Sequence, residues 1–389
     1  MEITNKIRLI ELFGGIGSQA MSLRDIGANF EHYRLVEFDK HAVASYNAIH
    51  GTNFETMDIR NVHGADLGIV DRETFTYIMT YSFPCTDLSI AGKMKGMSKT
   101  EWEQGNSTHS GLLWEVERIL KELKADELPQ VLLMENVTQV HAQKNKADFE
   151  AWLAFLQSRG YFNFYQDLNA KNYGIPQNRN RCFCVSILSP EFIDYEFPEP
   201  VKLEKVMRDY LEEYVDEKYY IKSEKADKLI TDLIECGELP TEQTCKGVQS
   251  EITVKTKCVD GTKIVAKDYF IYDDYNSNVP QEQKSIGTIT QTCGSSALRN
   301  GKKIIEKLSK CLGTKQVTVE TIYRIRKLTP RECWRLMGYT DTDFDKAAAV
   351  NSNTQLYKQS GNAIVKQVLM AIFSSMNINN KVGGSEINC

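Results

Sequence analysis

Ile7-Arg8-Leu9-Ile10-Glu11-Leu12-Phe13-Gly14-Gly15-Ile16-Gly17-Ser18 reads as a buried strand, Ile7–Phe13, that passes through a glycine turn directly into a helix, Ser18–Ile26. Glycines at such a turn let the backbone bend tightly and approach a bound cofactor closely. Working outward, Tyr33–Phe38, Tyr77–Phe83 and Val131–Val137 are short apolar runs that read as further strands, with helices His41–His50 and Gly111–Lys124 between them. In the latter, Leu112, Val116, Ile119, Leu120 and Leu123 fall on one helical face. This strand–helix repetition predicts a doubly wound α/β fold with a parallel sheet and right-handed crossovers. Arg181–Leu188 adds another core strand. After Ser189-Pro190 the chain turns acidic, then polar and lysine-rich; helical patterning returns at Leu328–Met337 and Asn362–Ser374. The expected organisation is a large lobe over 1–190, an acidic connector over 191–221, a smaller second domain over 222–322 and a segment over 323–389 that returns to the large lobe.

The 389 residues, 42% apolar and 25% charged, suit a multidomain protein with a large core. No run of about 18 apolar residues suggests a membrane span, and the start lacks a basic and then apolar leader. Ten cysteines without a Cys-x-x-Cys pair and six scattered histidines give no sequence sign of a metal site and suit free thiols in a cytoplasmic protein. The formal net charge of −5 is concentrated: residues 191–218 hold ten acids against Lys202, Lys205, Arg208 and Lys218. Residues 286–328 are instead basic, with Arg299, Lys302, Lys303, Lys307, Lys310, Lys315, Arg324, Arg326 and Lys327 against Glu306 and Glu320. That stretch is either a solvated lysine-rich loop or a surface for phosphates, with Lys302 and Lys303 the candidate contacts.

Chemistry-bearing residues cluster at the expected carboxyl ends of the strands, where open parallel sheets bind ligands. Glu37 ends the second strand, where a carboxylate can hold two ribose hydroxyls; Asp58-Ile59 precedes the third, where an acceptor suits an adenine amino group. Gly15, Gly17 and Ala20 also satisfy the dinucleotide fingerprint, so nicotinamide and flavin stand beside S-adenosylmethionine at this point. Pro84-Cys85 leaves the third strand with a fixed backbone, and the polar, glycine-bounded segment 92–111 has the length of a lid. Glu135-Asn136 closes the fourth strand, an unusual place for a carboxylate unless it is paired or catalytic. Gln177-Asn178-Arg179-Asn180-Arg181 sets two guanidinium groups at alternate positions entering a strand.

Together these motifs resemble the DNA (cytosine-5) methyltransferases in order and spacing. The resemblance spans nearly the whole chain outside 222–322 and includes Arg326-Lys327-Leu328-Thr329-Pro330-Arg331-Glu332 and Gln359-Ser360-Gly361-Asn362-Ala363-Ile364-Val365. It implies a Rossmann-like S-adenosylmethionine-dependent domain with a smaller target-recognition domain. It further implies Cys85 as nucleophile, Glu135 and Arg181 on the base, and Arg179 and Asn136 in support. Phe13, Gly15, Gly17, Ser18, Glu37, Phe38, Asp58, Ile59, Pro84, Asn362 and Ala363 are then expected around the cofactor. Thr86, Ser89, Thr288 and Thr290 are expected near the target base. The implied product is S-adenosylhomocysteine and the partner double-stranded DNA, with a cognate restriction endonuclease as a second candidate partner and action as a monomer. Thr86 stands where many members have glutamine, and His109 where an arginine is common. A transfer-RNA methyltransferase and an inactive DNA-binding relative are the alternatives. The roughly 100-residue middle region argues against the first, and intact Cys85, Glu135 and Arg181 argue against the second. A dehydrogenase would leave those three groups unexplained.

Overall fold

Alternate residues of one strand feed two separate cores. The computed structural model describes residues 2–88, 96–105, 108–240, 258–259, 262–273, 278–279, 284–298, 301–312 and 318–379. In β1 (Lys6–Leu12), Leu9 packs into the layer beneath one face of the sheet, while Ile10 and Leu12 pack into the other. β1 pairs in parallel with β2 (Phe30–Val36) and β3 (Phe75–Tyr81), and β3 with β4 (Val131–Asn136). All six residues of β4 are buried, as a central strand covered on both faces requires. Helices α1 (Ser18–Asp25) and α2 (Lys40–His50) cover one face. The short helix α3 (Lys99–Glu103) follows β3. Helices α4 (Leu113–Glu122) and α5 (Lys146–Ser158) cover the other face, through Val116, Ile119, Leu120, Phe149, Trp152 and Leu156.

The last two strands depart from the all-parallel expectation. β5 (Tyr161–Asn169) and β7 (Asn180–Leu188) pair antiparallel, and β7 is inserted against β4, giving the order β2-β1-β3-β4-β7-β5. Only a short turn and the two-residue strand β6 (Gln177–Asn178) join β5 to β7, with no crossover helix, so the chain must reverse.

A second sheet, β12-β11-β9-β8, is antiparallel and consists of β8 (Cys258–Val259), β9 (Thr262–Tyr272), β11 (Lys303–Leu312) and β12 (Thr318–Lys327). Helix α6 (Glu224–Glu235) lays Ala226 and Leu233 over Tyr272, Ile305 and Ile325 in a core of its own. Its last strand ends at Lys327, beyond the 322 expected for the second domain. The short strand β10 (Ile286–Gly287) instead pairs with β6 of the large lobe.

The return to the large lobe is built from α7 (Pro330–Arg335), α8 (Asp341–Ala348), α9 (Asn353–Asn362) and α10 (Lys366–Ser375). Thr329 and Glu332 form a capping box for α7, whose proline occupies the first turn. The fully buried Arg326 joins the two lobes: Nε meets Glu306 at 2.7 Å and Nη1 meets Glu332 at 2.8 Å. Helix α10 packs on α1, where Ser22 Oγ donates to the Lys366 carbonyl at 3.2 Å. The closing helix expected over Asn362–Ser374 begins later, at Lys366, and Asn362 instead ends the preceding helix α9. Residues 363–365 are extended between them, and the carbonyls of Gly361 and Ala363 accept hydrogen bonds from Arg179.

Candidate active site

The glycine turn is the first part of the site. Phe13, Gly15 and Gly17 take left-handed φ values of 56°, 57° and 81°. A Cβ on Gly17 would lie 2.4 Å from His50 Nε2 and 2.7 Å from the Tyr46 ring, so this position is closed to larger residues. A Cβ on Gly15 would meet nothing within 4 Å, which leaves open space above the turn. Glu37 directly follows β2 beside it; one carboxylate oxygen accepts from the Gly15 N–H at 3.0 Å and the other from the Asp39 N–H at 2.8 Å. Burial raises this carboxyl group, and the backbone donors oppose that shift. Phe38 is 76% exposed next to it. The Met57 N–H donates to the Glu37 carbonyl, which brings Asp58 and buried Ile59 alongside. Asp58 is itself held by Arg60 at 2.5 Å. Ser18 begins α1, but its hydroxyl is turned to Tyr339 at 2.7 Å, so its side chain braces the C-terminal segment.

Cys85 lies in the loop leaving β3, half-buried, and Thr86 beside it is exposed. Asn136, buried at the end of β4, fixes that loop: Nδ2 donates to the Phe83 carbonyl at 2.9 Å while Oδ1 accepts from the Val137 N–H at 2.8 Å. Two residues that the sequence reading missed hold the loop from the other side. Ser110 Oγ donates to the Pro84 carbonyl at 2.7 Å, and the buried Asp87 carboxylate accepts from the His109 N–H at 2.7 Å. An acid two positions after Cys85 carries no local pattern that would mark it in sequence.

Glu135 is buried behind Cys85, and Arg181 Nε lies 3.4 Å from its Oε1. Burial raises the Glu135 carboxyl, and Arg181 and Arg179 pull it back. Burial also pushes the Cys85 thiol up, reinforced by the Glu135 charge and opposed by the two arginines. Arg181 and Arg179 play different parts. Arg179 is buried and donates to the carbonyls of Ile289 at 3.0 Å, Gly361 at 3.1 Å and Ala363 at 2.7 Å, linking the middle region to the C-terminal motif. Asn362 is exposed between the last two.

The threonine turn of the middle region docks here. Thr288 Oγ1 donates to the Asn178 carbonyl at 2.9 Å, the Ile289 N–H reaches Gln177 Oε1 at 2.9 Å, and Thr290 pairs with Thr292 at 2.8 Å. In sequence Gln177 stands only within the arginine motif; in the fold it clamps two segments, since its Nε2 also donates to the Leu336 carbonyl at 2.7 Å. A Cβ on Gly361 would come within 2.2 Å of the Gln291 nitrogen, so α9 and this turn touch backbone to backbone. Ser89, expected near the base, lies outside the described residues.

Lys302 and Lys303, expected to meet phosphates, are covered in this structure. Lys303 is fully buried and donates to the Gly301 carbonyl at 2.8 Å; Lys302 is largely covered and pairs with Asp273 at 3.3 Å. Arg324 pairs with Glu217 at 2.6 Å, and Lys327 donates to the Gly294 carbonyl at 3.0 Å. Among the described side chains of the basic stretch, Lys302, Lys303, Arg326 and Lys327 are thus held by partners within the protein, which charge counting along the sequence cannot see.

The sequence pattern of the C-5 cytosine-specific DNA methylases matches residues 7–377. The type II methyltransferase M2.ScrFI of Lactococcus lactis subsp. cremoris is 31% identical, over 95% of this chain and 99% of its own. The type II methyltransferase M.NlaX of Neisseria lactamica is 30% identical, over 95% and 96%. Among solved structures, the Dnmt2 methyltransferase of S. pombe superposes with a TM-score of 0.60 at 19% identity, covering 95% of this chain and 98% of that one, which speaks for the shared fold. With that pattern running from the first strand to the last helix, the chain belongs to the C-5 cytosine-specific DNA methylase family.

Proposed function

We propose that this enzyme methylates carbon 5 of cytosine in double-stranded DNA, using S-adenosylmethionine and the residues gathered around Cys85. The observation that carries the reading is the set of supports converging on that loop: Asn136 on the Phe83 carbonyl, Ser110 on the Pro84 carbonyl, and the Glu135–Arg181 pair behind the thiol.

The cofactor fits the glycine turn. Space opens above Gly15, and Glu37 is fixed by two backbone N–H groups with lone pairs to spare for ribose hydroxyls. Phe13 and Phe38 offer apolar faces, with Ser18, Asp58, Ile59, Pro84, Asn362 and Ala363 around them. When bound, S-adenosylmethionine supplies an electrophilic methyl carbon and leaves as S-adenosylhomocysteine.

Carbon 5 of cytosine is a poor nucleophile. The Cys85 thiol releases its proton to solvent, and the thiolate adds to carbon 6, which makes carbon 5 nucleophilic as an enamine. Glu135, whose carboxyl burial raises against the pull of Arg181 and Arg179, donates to ring nitrogen 3 in its protonated form and stabilises the charge that develops there. Arg181 binds the exocyclic oxygen and orients Glu135. After methylation the carbon-5 proton passes to water and the carbon–sulfur bond breaks, returning Cys85. The base cannot be reached within a duplex, so it must be flipped out, at a cost of a few kcal/mol. Thr86, which is exposed, and the Thr288–Thr290 turn are the candidates to meet it and its neighbours. The enzyme acts as a monomer, with a restriction endonuclease as partner where one is encoded beside it.

The test is transfer of tritium from labelled S-adenosylmethionine to duplex DNA and to RNA, followed by bisulfite sequencing of plasmid from an expressing host. Incorporation into DNA alone, at one repeated sequence, supports the reading. Incorporation into RNA alone refutes it.

A further inference from the structure

On the face of the sheet opposite Arg181, three side chains from three elements converge. Asp167 on β5 lies directly across from Cys182 on β7, so both side chains project from the same face. His141, in the turn that follows β4, reaches over them, its Nε2 2.9 Å from Asp167 Oδ1. One ligand atom from each residue lies within 4.8 Å of the other two. The proposed catalysis uses none of the three.

We propose that His141, Asp167 and Cys182 form a binding site for a transition-metal ion of the zinc class. A mixed nitrogen, oxygen and sulfur donor set suits such an ion and does not suit magnesium or calcium, which take oxygen ligands. Metal–ligand lengths of about 2.0 Å to nitrogen and about 2.3 Å to sulfur require the three donors to close inward. His141 and Asp167 are partly exposed and can turn, with Cys182 buried directly beneath them. The His141 ring is steadied by Phe149 and Tyr165, with centroids 6.2 and 5.8 Å away. Water completes a fourth position. Binding replaces the thiol proton of Cys182, which leaves to solvent as the sulfur–metal bond forms. The spacing 141, 167, 182 matches no local ligand motif, which is why the sequence showed no sign of it.

The location gives the ion a consequence. Cys182 follows Arg181 on β7 and pairs across the ladder with Asn136, and His141 lies a few residues after Glu135. An ion there fastens the ends of β4, β5 and β7 behind the groups that hold the Cys85 loop.

Cobalt(II) is the probe, added to chelator-treated full-length protein. One equivalent should give a near-ultraviolet sulfur-to-cobalt band, release one proton and raise the melting temperature. Cys182→Ser should lose the band and Cys85→Ser should keep it. His141→Gln and Asp167→Asn, on partly exposed side chains, should each weaken binding by about tenfold or more; they carry the test should Cys182→Ser fail to fold. Absence of the band with cobalt in excess, or unchanged affinity in both His141→Gln and Asp167→Asn, overturns the proposal.

Discussion

Asn136→Ala separates the support of the Cys85 loop from the chemistry performed there. The side chain is buried and makes two hydrogen bonds, to the Phe83 carbonyl at 2.9 Å and from the Val137 N–H at 2.8 Å. Truncation strands both backbone groups in a place that water does not reach. Each stranded group costs about 1–3 kcal/mol, and partial relaxation brings the expected loss of stability to roughly 2–4 kcal/mol. Urea unfolding, with the m-value unchanged, measures that loss directly. The loop also loses its tether two residues before Cys85. A displacement of about 1 Å at a nucleophile costs on the order of 100-fold in rate. Single-turnover methylation should therefore slow by about that factor, while S-adenosylmethionine affinity should change little, because Glu37 and Gly15 form their own hydrogen bond at the next strand end. Stability within about 0.5 kcal/mol of wild type, together with an unchanged single-turnover rate, would refute the assigned support.

Three further outcomes are expected. Gly17→Ala should weaken cofactor binding and lower the melting temperature, since a Cβ there combines a left-handed φ of 81° with overlap on His50 and Tyr46; calorimetric titration and a thermal melt read the two effects. Arg326→Ala should cost about 3–5 kcal/mol in urea unfolding, because it leaves Glu306 and Glu332 buried without their shared cation. Burial holds His50 down to about 3 and His32 down to about 4, so both are neutral in the fold and charge more readily when unfolded. Their contribution is intact above about pH 6.5 and is lost as pH falls toward those values; His50→Gln should flatten the fall by up to about 1.4 kcal/mol per pH unit in urea titrations at pH 6.5 to 4.5.

The large lobe was legible because its strands and helices carry period and length. Val131, Leu132, Leu133 and Met134 are apolar on both faces, and Val116, Ile119 and Leu120 recur at helical spacing. What the pattern could not supply was direction: β7 reads as a core strand in either sense, and only the short link through Gln177–Asn178 makes it antiparallel. The site motifs were legible as residues at strand ends, but their bracing was not. Asp87, Ser110 and Gln177 act through contacts 22, 26 and 159 positions away, and nothing near them in sequence marks the partner. Charge misled most where burial decides. Lys303 and Arg326 count as basic in a tally and are enclosed in the fold. The late start of α10 was hidden for a related reason, since Arg179 takes the carbonyls of Gly361 and Ala363 ahead of it from far along the chain.

In the proposed mechanism Cys85 forms a covalent bond with the target base. Fluorine at carbon 5 cannot leave as a proton, so a duplex carrying 5-fluorocytosine at the methylated position should trap the enzyme after methyl transfer. The measurement is a denaturing gel of that duplex with wild-type protein, with and without S-adenosylmethionine, using a sequence that the same preparation methylates when it carries ordinary cytosine. The expected result is a shifted, S-adenosylmethionine-dependent band that disappears in Cys85→Ser, whose hydroxyl is far less acidic than a thiol and a poorer nucleophile. Methylation of the ordinary duplex with no shifted band on the fluorinated one, or a band that survives in Cys85→Ser, would contradict it.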